Sequence, residues 1–319
     1  MEQNRNQILK YWPQYKWSNI IAMIKNNMAM PEISNNSFKN RFVVITGATS
    51  GIGYYSARKY AFAGANILTI NKNEEKSQNL CQELKRDFGV ECNYMIADFS
   101  KLDEVHKVGE SLASLNQTID VLLHNAGLYL SKKNLTVDGL EMNFAVNYLA
   151  PFVITYLVSE KMKSQGNGRI IFVGSEGYRF AVWGLRLDDL NWEKRRYSGL
   201  RAYGSSKTAQ LLSMIIFNDG FRGSGVTINA MHPGMVKTKT GRDNGIIYRW
   251  YKRNLIDRFS RSPEVSAEAI YYLGTSEKLG EISGKFFNQT TEEELAPPAQ
   301  DREIAEQLWE MSINIGRLQ

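Results

Sequence analysis

Short apolar runs alternate with longer amphipathic stretches from about residue 42 to residue 290. The apolar runs fall at residues 42–46, 66–70, 92–97, 120–124, 169–173, 227–231 and 285–287. Helical spacing between them is clearest over residues 74–88, 102–115 and 139–163. Continuous apolar strands that alternate with helices are typical of a parallel sheet covered on both faces. The pattern predicts a doubly wound α/β fold of seven parallel strands with helices on both faces.

Residues 41–319 are predicted to form a single domain, and three segments of the chain fall outside its alternation of strands and helices. The first is an N-terminal arm, residues 1–40, in which aromatic and basic residues precede an apolar stretch. We expect this arm to pack on its own domain or on a partner subunit, with a membrane surface as the alternative. The stretches 176–202 and 235–262 are long for connections in a βα unit, so we expect them to form a substrate pocket beside the sheet.

Aromatic and branched side chains are frequent in both insertions. The first supplies Tyr178, Phe180, Trp183, Leu185, Leu187 and Trp192, and the second Ile246, Ile247, Tyr248, Trp250, Tyr251 and Leu255. A pocket of this composition favours a bulky apolar ligand such as a retinoid, a steroid or a long-chain aldehyde. The alternative is that these side chains only pack the insertions onto the core.

Composition and charge narrow the class of protein further. The chain has 319 residues, 43% of them hydrophobic, without an apolar stretch long enough to span a membrane or a secretory signal at its start. We therefore expect a cytoplasmic protein, with peripheral attachment to a membrane surface as the alternative. The net charge of +6 is concentrated in residues 1–41 and 237–261. Without a nucleic-acid-binding motif, these regions are interpreted as solvated basic faces rather than as a nucleic-acid site.

The chain contains few residues that could bind metal. Its two cysteines, Cys81 and Cys92, are too few for a disulfide framework or a four-ligand zinc site, and we expect both to be buried as small hydrophobes. The three histidines, His106, His124 and His232, are scattered along the sequence. No metal site is predicted.

A glycine-rich turn follows the first predicted strand and leads into a helix. Its sequence is TGATSGIG over residues 46–53, with glycines at 47, 51 and 53. Glycines let the backbone turn tightly and approach a pyrophosphate, which the free amides at the start of a helix stabilise. A strand before the turn and a helix after it are typical of the Rossmann fold. The turn predicts a dinucleotide site in which Gly47, Thr49, Ser50, Gly51, Ile52 and Gly53 contact the cofactor.

The residues at the end of the second strand indicate whether NAD(H) or NADP(H) is bound. An NAD-binding protein usually places an acidic residue there to hold the ribose hydroxyls, but this chain has Asn71, Lys72 and Asn73. Lys72 offers a positive charge to a 2′-phosphate, which an acidic residue would repel. We therefore expect NADP(H) to be preferred, with NAD(H) as the alternative.

Proton-transfer chemistry is indicated by Tyr203 and Lys207, which lie one helical turn apart on the same face. A free tyrosine has a pKa near 10, and an adjacent cation lowers it by about 1–3 units. We therefore expect Lys207 to lower the pKa of Tyr203, which would give or take a proton. Ser175 follows the fifth strand and can hydrogen-bond a substrate oxygen.

Several other polar or small residues follow predicted strands at the same edge of the sheet. Asp98 ends the third strand, Asn125, Ala126 and Gly127 end the fourth, and Asn147 lies in the next helical segment. In open parallel sheets, ligands bind at the carboxyl ends of the strands. These positions therefore fall where the glycine turn and Ser175 are also expected.

Together these motifs are similar to those of the short-chain dehydrogenase/reductase family over about residues 40–290. The matching features are the 46–53 turn, Asp98, the 124–127 segment, Asn147, Ser175, Tyr203, Lys207 and the 232–238 segment. The long spacing between Ser175 and Tyr203, with LDDLNW at 187–192, resembles the retinol dehydrogenase-like branch. Two positions depart from the family pattern: His124 stands where asparagine is common, and Thr49 and Ser50 stand where many NADP-preferring members have a basic residue.

The resemblance implies a role for each matching position. Tyr203 would be the general acid/base, Lys207 would tune it and bind the nicotinamide ribose, Ser175 would polarise the substrate oxygen, and Asn147 would hold a proton-relay water. Gly47, Gly51 and Gly53 would face the pyrophosphate, Asp98 the adenine, Asn125 the adenosine side, and Thr238 the nicotinamide carboxamide or phosphate. Ala126, Gly127, Pro233, Gly234 and Val236 complete the predicted cofactor contacts.

The function predicted from these features is hydride transfer between NADP(H) and the carbonyl or alcohol group of an apolar substrate. The alternative is a non-catalytic NADP(H)-binding regulatory scaffold. Homo-oligomers are usual in the resembled family.

Overall fold

One sheet organises the part of the chain that the computed structural model describes, residues 9–234 and 261–318. Its strands are β1 (Phe42–Thr46), β2 (Asn66–Asn71), β3 (Cys92–Ile96), β4 (Val121–His124), β5 (Gly168–Val173), β6 (Val226–His232), β7 (Phe286–Asn288) and β8 (Thr291–Glu293). They lie in the order β3-β2-β1-β4-β5-β6-β7-β8. The order reverses between β1 and β4, which is where open α/β sheets bind their ligands.

The predicted class is confirmed, and the sheet has one strand more than the pattern predicted. Strands β1 to β7 are parallel, whereas β8 runs antiparallel to β7. Strand β8 consists of Thr291, Glu292 and Glu293, so it carries no apolar run that would mark it as a strand. It is a strand only because it forms hydrogen bonds with β7.

Helices cover both faces of the sheet. The long helices of the described residues are α1 (Trp17–Met28), which belongs to the N-terminal arm, α2 (Gly51–Phe62), α3 (Glu74–Phe88), α4 (Leu102–Ala113), α5 (Ala150–Gln165), α6 (Gly199–Gly220), α7 (Pro263–Thr275) and α8 (Arg302–Ile315). Alternate residues of β1 point to opposite cores: Val44 packs with α4, α5, α6 and α8, and Val43 and Ile45 pack with α2, α3 and α7. This division follows from the period of two along a strand.

The single helical stretch expected over 139–163 is interrupted. Met142–Phe144 forms one helical turn, Ala145–Leu149 a π-helical turn, and α5 begins only at Ala150. A π-helical turn keeps the apolar periodicity nearly unchanged, so the sequence pattern did not reveal it. The combined stretch Met142–Gln165 is long and apolar enough to cross a membrane, but 78% of its apolar window is buried in the protein, as in a core helix.

The N-terminal arm, from residue 9 onward, packs along its own domain. The Tyr11 hydroxyl donates a hydrogen bond to Asp301 at 2.6 Å, and the Asn26 amide donates to Glu293 of β8 at 2.9 Å. The Asn36 amide donates to the carbonyl of Thr275 at 2.9 Å, at the end of α7. The arm therefore covers the edge of the sheet that β8 would otherwise expose.

The insertion at 176–202 mostly packs against the core. Tyr178, Leu185 and Trp192 are buried, and the Tyr178 ring lies edge-on to Phe286 of β7. Leu185 and Trp192 line a small cleft with Ser205 and Ser206, and Tyr203 is not among its lining residues. Burial of these three side chains favours the alternative that they pack the insertion onto the core, and a substrate pocket formed by this insertion stays a prediction. The pocket residues expected at 246–255 lie outside the described residues.

Candidate active site

The glycine turn connects β1 to α2 with a left-handed backbone at Gly47 (φ 69°) and Gly51 (φ 59°). A Cβ atom on Gly47 would lie 2.9 Å from Cα of Ala126, so that position has room only for glycine. Ser50 precedes α2 without a side-chain hydrogen bond to the helix amides. The first amides of α2 therefore remain available to an anion, as phosphate-binding turns require.

Gly53 and Asn125 hold this turn against β4. The Asn125 amide donates to the carbonyls of Thr46 (3.0 Å) and Gly47 (2.9 Å). A Cβ atom on Gly53 would lie 2.3 Å from that Gly47 oxygen. Both residues thus set the shape of the turn: the Asn125 amide is committed to protein carbonyls, and Gly53 is needed for close packing.

Asn71 is a site residue whose role the sequence analysis missed. It ends β2 and is buried, and its Oδ1 accepts a hydrogen bond from the Ala48 amide of the turn at 2.7 Å. Its amide nitrogen donates to Thr69 Oγ1 at 3.0 Å and to Ser77 Oγ at 3.1 Å. An amide at the end of a strand facing a glycine turn is the signal that could have indicated this contact.

Lys72 and Asp98, both predicted to contact the cofactor, contact each other. The Lys72 ammonium lies 2.7 Å from Asp98 Oδ2, and the Lys72 side chain is 74% exposed. Burial raises the pKa of Asp98, but hydrogen bonds from Lys72 and Ser100 outweigh it and hold this pKa below its usual value. The pair lies at the carboxyl ends of β2 and β3, beside the glycine turn.

Ser175 and Tyr203 come together at the carboxyl end of β5. Burial raises the pKa of the Tyr203 phenol, and a hydrogen bond with Ser175 partly offsets this. A Cβ atom on Gly177 would lie 2.7 Å from the Tyr203 ring and 3.1 Å from Ser175 Oγ, so glycine at this position leaves room for the pair. The Tyr129 ring packs edge-on against Tyr203, with centroids 5.7 Å apart.

Lys207 reaches the same strand end but does not act on Tyr203 as expected. Its ammonium donates to the carbonyl of Val173 at 2.8 Å and to Gln210 at 3.4 Å. Burial lowers the pKa of Lys207 to about 8. The expected lowering of the Tyr203 pKa by Lys207 is not seen, because burial dominates and raises that pKa.

Asn147 lies in the π-helical turn and is fully buried. Its Oδ1 accepts from the Leu128 amide at 2.8 Å, and its amide donates to the Leu128 carbonyl at 2.9 Å and to Ser206 Oγ at 3.1 Å. The side chain thus holds the segment after β4, which contains Ala126 and Gly127, against α6. Helix α6 is the one that carries Tyr203 and Lys207.

The segment after β6 is described only at its start. Gly234 has a left-handed backbone (φ 81°) and packs against the side chain of Gln289, and the Pro233 carbonyl accepts a hydrogen bond from Ser266 at 2.5 Å. The predicted contacts at Val236 and Thr238 lie outside the described residues.

These elements bring a phosphate-binding turn, a phenol and a serine to one edge of a parallel sheet, which defines a nucleotide-dependent oxidoreductase by class. The short chain dehydrogenase family model matches residues 41–184. Human retinol dehydrogenase 13 is 31% identical over 287 residues, covering 88% of this chain and 86% of its own. Human retinol dehydrogenase 14 is 31% identical over 286 residues, covering 85% of this chain and 84% of its own.

A solved structure shows the same fold. The short chain dehydrogenase from Burkholderia cenocepacia J2315, in complex with NADP, superposes with a TM-score of 0.63 at 20% identity, covering 80% of this chain and 99% of its own. The chain belongs to the short-chain dehydrogenase/reductase family, in its retinol dehydrogenase-like branch. It is therefore an NAD(P)-dependent oxidoreductase that acts on alcohol or carbonyl groups.

Proposed function

We propose that this protein transfers a hydride between NADP(H) and the carbonyl or alcohol group of an apolar substrate, with Tyr203 as the general acid/base. The observation that carries the proposal is the close approach of Tyr203 and Ser175 beside Gly177, at the strand ends that also carry the glycine turn. The nicotinamide ring, when bound, supplies or accepts the hydride. The residues of this chain orient the substrate and move the proton.

In the direction of reduction, the hydroxyls of Ser175 and Tyr203 donate hydrogen bonds to the substrate oxygen. As negative charge develops on that oxygen, Tyr203 passes its proton to it. Lys207 is mainly an ammonium at neutral pH, because its pKa lies at about 8, and it stabilises the resulting phenolate. Asn147 is a positioning residue through its bonds to Leu128 and Ser206.

The proposed acid/base role predicts the behaviour of Tyr203→Phe. Turnover of an apolar aldehyde with NADPH should fall by about 10²–10⁴-fold, since the phenol proton is lost while the ring remains. NADPH binding should be retained. Tyr129→Phe is the matched control because it removes a neighbouring phenol, and it should keep most of the activity.

Two outcomes would count against this assignment. Full activity in Tyr203→Phe would show that another group transfers the proton. Tight NADPH binding without turnover of any member of a broad carbonyl panel by the unmodified protein would favour the alternative, a regulatory scaffold that binds NADP(H).

For the cofactor, we propose that Lys72 exchanges its ion pair with Asp98 for the 2′-phosphate of NADP(H). The exposure of Lys72 and the absence of an acidic side chain at Asn71 support this preference. The short-chain dehydrogenase from Burkholderia cenocepacia was solved with NADP.

A thermal-shift comparison tests the cofactor preference. At equal concentrations NADPH should raise the melting temperature more than NADH, because a ligand at about 100 times its Kd stabilises the fold by about 2.7 kcal/mol. Lys72→Met should reduce the NADPH shift and leave the NADH shift unchanged. Lys163→Met, on the remote surface of α5, should change neither. An equal shift with both nucleotides would refute the preference.

We also propose that the substrate is apolar and that the arm touches a membrane surface. The relatives named retinol dehydrogenase support an apolar substrate. Trp17, Ile21 and Ile24 form one exposed face of α1, and Trp12 beside it contacts Trp183 of the 176–202 insertion at 6.3 Å between ring centroids. Through this contact the exposed apolar face of the arm adjoins the 176–202 insertion, which directly follows Ser175.

A further inference from the structure

Ser175 is held in place by the short 3-10 helical turn that follows it, Glu176–Phe180, here called the 176–180 turn. Ser175 Oγ accepts a hydrogen bond from the Gly177 amide at 3.0 Å, and the Ser175 carbonyl accepts from the Tyr178 amide at 3.1 Å. The first of these bonds uses a lone pair of Oγ, so the hydroxyl proton can still be donated to a substrate oxygen. The position of Ser175 Oγ therefore depends on the position of this turn.

One side of the 176–180 turn packs against α6, the helix that carries Tyr203. A Cβ atom on Gly204, the residue after Tyr203, would lie 2.9 Å from the carbonyl oxygen of Gly177. Further along α6, Thr208 Oγ1 donates to the carbonyl of Tyr178 at 3.2 Å. A shift of the turn away from α6 would therefore change the distance between the serine and the phenol.

The other side of the 176–180 turn holds a buried cluster of charged side chains, Glu176, Arg179 and Glu293. Arg179 forms an ion pair with Glu176, and its Nη2 lies 3.8 Å from Oε2 of Glu293 on β8. The side chains of Glu176, Arg179 and Glu293 are only 12%, 19% and 4% exposed. Two carboxylates thus share one guanidinium away from water, where the attraction between opposite charges is stronger than at the surface.

This cluster connects the 176–180 turn to the sheet and to the N-terminal arm. The backbone amide of Glu176 donates to His232 Nδ1, at the end of β6, at 3.3 Å. Glu293 Oε1 accepts from the Asn26 amide of α1 at 2.9 Å. Arg179 therefore joins the turn, through Glu293, to the sheet edge that the arm covers.

We propose that Arg179 is a positioning residue that holds the 176–180 turn against α6 and thereby places the Ser175 hydroxyl for hydride transfer. This inference rests on the proposed function, in which Ser175 hydrogen-bonds the substrate oxygen. Arg179 itself touches neither the substrate oxygen nor the transferred proton. It acts through the turn that Ser175 caps.

Loss of the guanidinium would leave Glu176 and Glu293 buried without a cation, which is unfavourable for both carboxylates. Burial already raises the pKa of Glu176 to about 7, and Arg179 opposes this shift. Without Arg179 the Glu176 carboxyl would take up a proton, and the turn would lose its connection to β8. We expect the turn and Ser175 to move together, because Ser175 Oγ is bonded to the Gly177 amide.

Steady-state kinetics of Arg179→Met test the effect on catalysis, with decanal, a long-chain aldehyde, and NADPH as the probes. The kcat should fall by about 10- to 100-fold, since a misplacement of about 1 Å can cost about 10²-fold. The KM for NADPH should not change, because the glycine turn is untouched. Arg179→Lys keeps the positive charge and should recover part of the lost kcat. Arg222→Met, which removes an exposed arginine paired with Asp219, is the matched control and should keep full activity.

Either of two kinetic results would overturn the proposal. One is full kcat in Arg179→Met. The other is an equal loss in Arg179→Met and Arg179→Lys, since the charge would then have no part in holding the turn. If Arg179→Met fails to fold, Glu293→Gln replaces it, because the glutamine has nearly the same shape but no charge to attract Arg179. Its kcat should fall by about threefold to tenfold, and full kcat in this variant would also overturn the proposal.

Hydrogen exchange followed by mass spectrometry tests the position of the turn without turnover. Amides of the 176–180 turn should exchange at least about tenfold faster in Arg179→Met, because their bonds to Ser175 open more often. Amides of the glycine turn, residues 46–53, should exchange at the same rate as in the unmodified protein. Unchanged exchange in the 176–180 turn would overturn the proposal. If the unmodified protein reduces no carbonyl compound, the proposed function fails, while the exchange measurement still decides whether Arg179 holds the turn.

Discussion

His124 shows how a single residue can make the core sensitive to acid. It ends β4 and is almost completely buried, with Nε2 at 3.0 Å from Thr155 Oγ1 and Nδ1 without a hydrogen-bond partner. Burial lowers its pKa to about 3. Between about pH 3 and pH 6.5 the folded protein therefore binds fewer protons than the unfolded chain. The stability that neutral His124 contributes is lost as the pH falls through that range.

His124→Asn should make the protein less sensitive to acid. An unfolded histidine has a pKa of about 6.5, so protonation of the unfolded chain costs the native protein about 2 kcal/mol of stability at pH 5 relative to pH 7. Asparagine does not titrate. Between pH 7 and pH 5, the free energy of unfolding measured in urea should therefore fall by about 2 kcal/mol less in the variant than in the unmodified protein. His106→Asn, at a partly exposed position of α4, is the control. Equal losses in the variant and the unmodified protein would contradict this account.

At the scale of elements, the approach of α2 to the glycine turn sets the geometry of the phosphate site. Gly53 lies in the first turn of α2, where its Cα faces the carbonyl of Gly47 and the amide of Asn125. Three elements, β1, α2 and β4, therefore meet at a point that has no space for a side chain. The Asn125 hydrogen bonds fix the turn only while this contact is close.

Gly53→Ala should separate these elements. The new Cβ would lie 2.3 Å from the Gly47 oxygen and 2.4 Å from the Asn125 amide, so the backbone must shift, at a cost of about 1–3 kcal/mol. Both urea stability and NADPH affinity should fall. Gly220→Ala, at the end of α6, is the matched control because nothing lies within 4 Å of its added methyl group. Unchanged NADPH binding in Gly53→Ala would show that the turn tolerates the shift.

At the scale of the whole molecule, the arm joins the sheet edge to an exposed apolar surface. One side of α1 bonds to β8 through Asn26 and Glu293, while Trp17 and Ile21 on the other side are 77% and 66% exposed. The arm, residues 1–40, also carries more basic than acidic residues. Exposed apolar residues on a helix that lies beside basic residues favour the interface of an anionic lipid bilayer.

The proposed membrane contact predicts sedimentation with lipid vesicles. The protein should pellet with vesicles containing phosphatidylglycerol and less with vesicles of phosphatidylcholine alone, because the arm combines apolar and basic side chains. Trp17→Ser combined with Ile21→Ser should abolish pelleting without changing stability. Val137→Ser is the matched control, since Val137 is 82% exposed but lies in the loop before α5. Equal pelleting of the double variant would place the contact elsewhere.

The periodicity of apolar residues was sufficient to predict the class of fold, the seven parallel strands and helix α3 to the residue, because each element buries a face that repeats locally. It could not reveal β8, whose three polar residues become a strand only by pairing with β7. The π-helical turn at Asn147 was also hidden, since one extra residue per turn leaves the apolar pattern nearly intact.

The sequence by itself determined which chemistry is present: the glycine turn, Ser175, Tyr203 and Lys207 are recognisable because their types and spacings are local. Which groups surround and contact these residues was decided by the tertiary structure alone. It turned Asn125 toward the glycine turn, paired Lys72 with Asp98 and raised the pKa of Tyr203. Burial and contact depend on residues far apart in the chain, so a pattern along one sequence does not contain them.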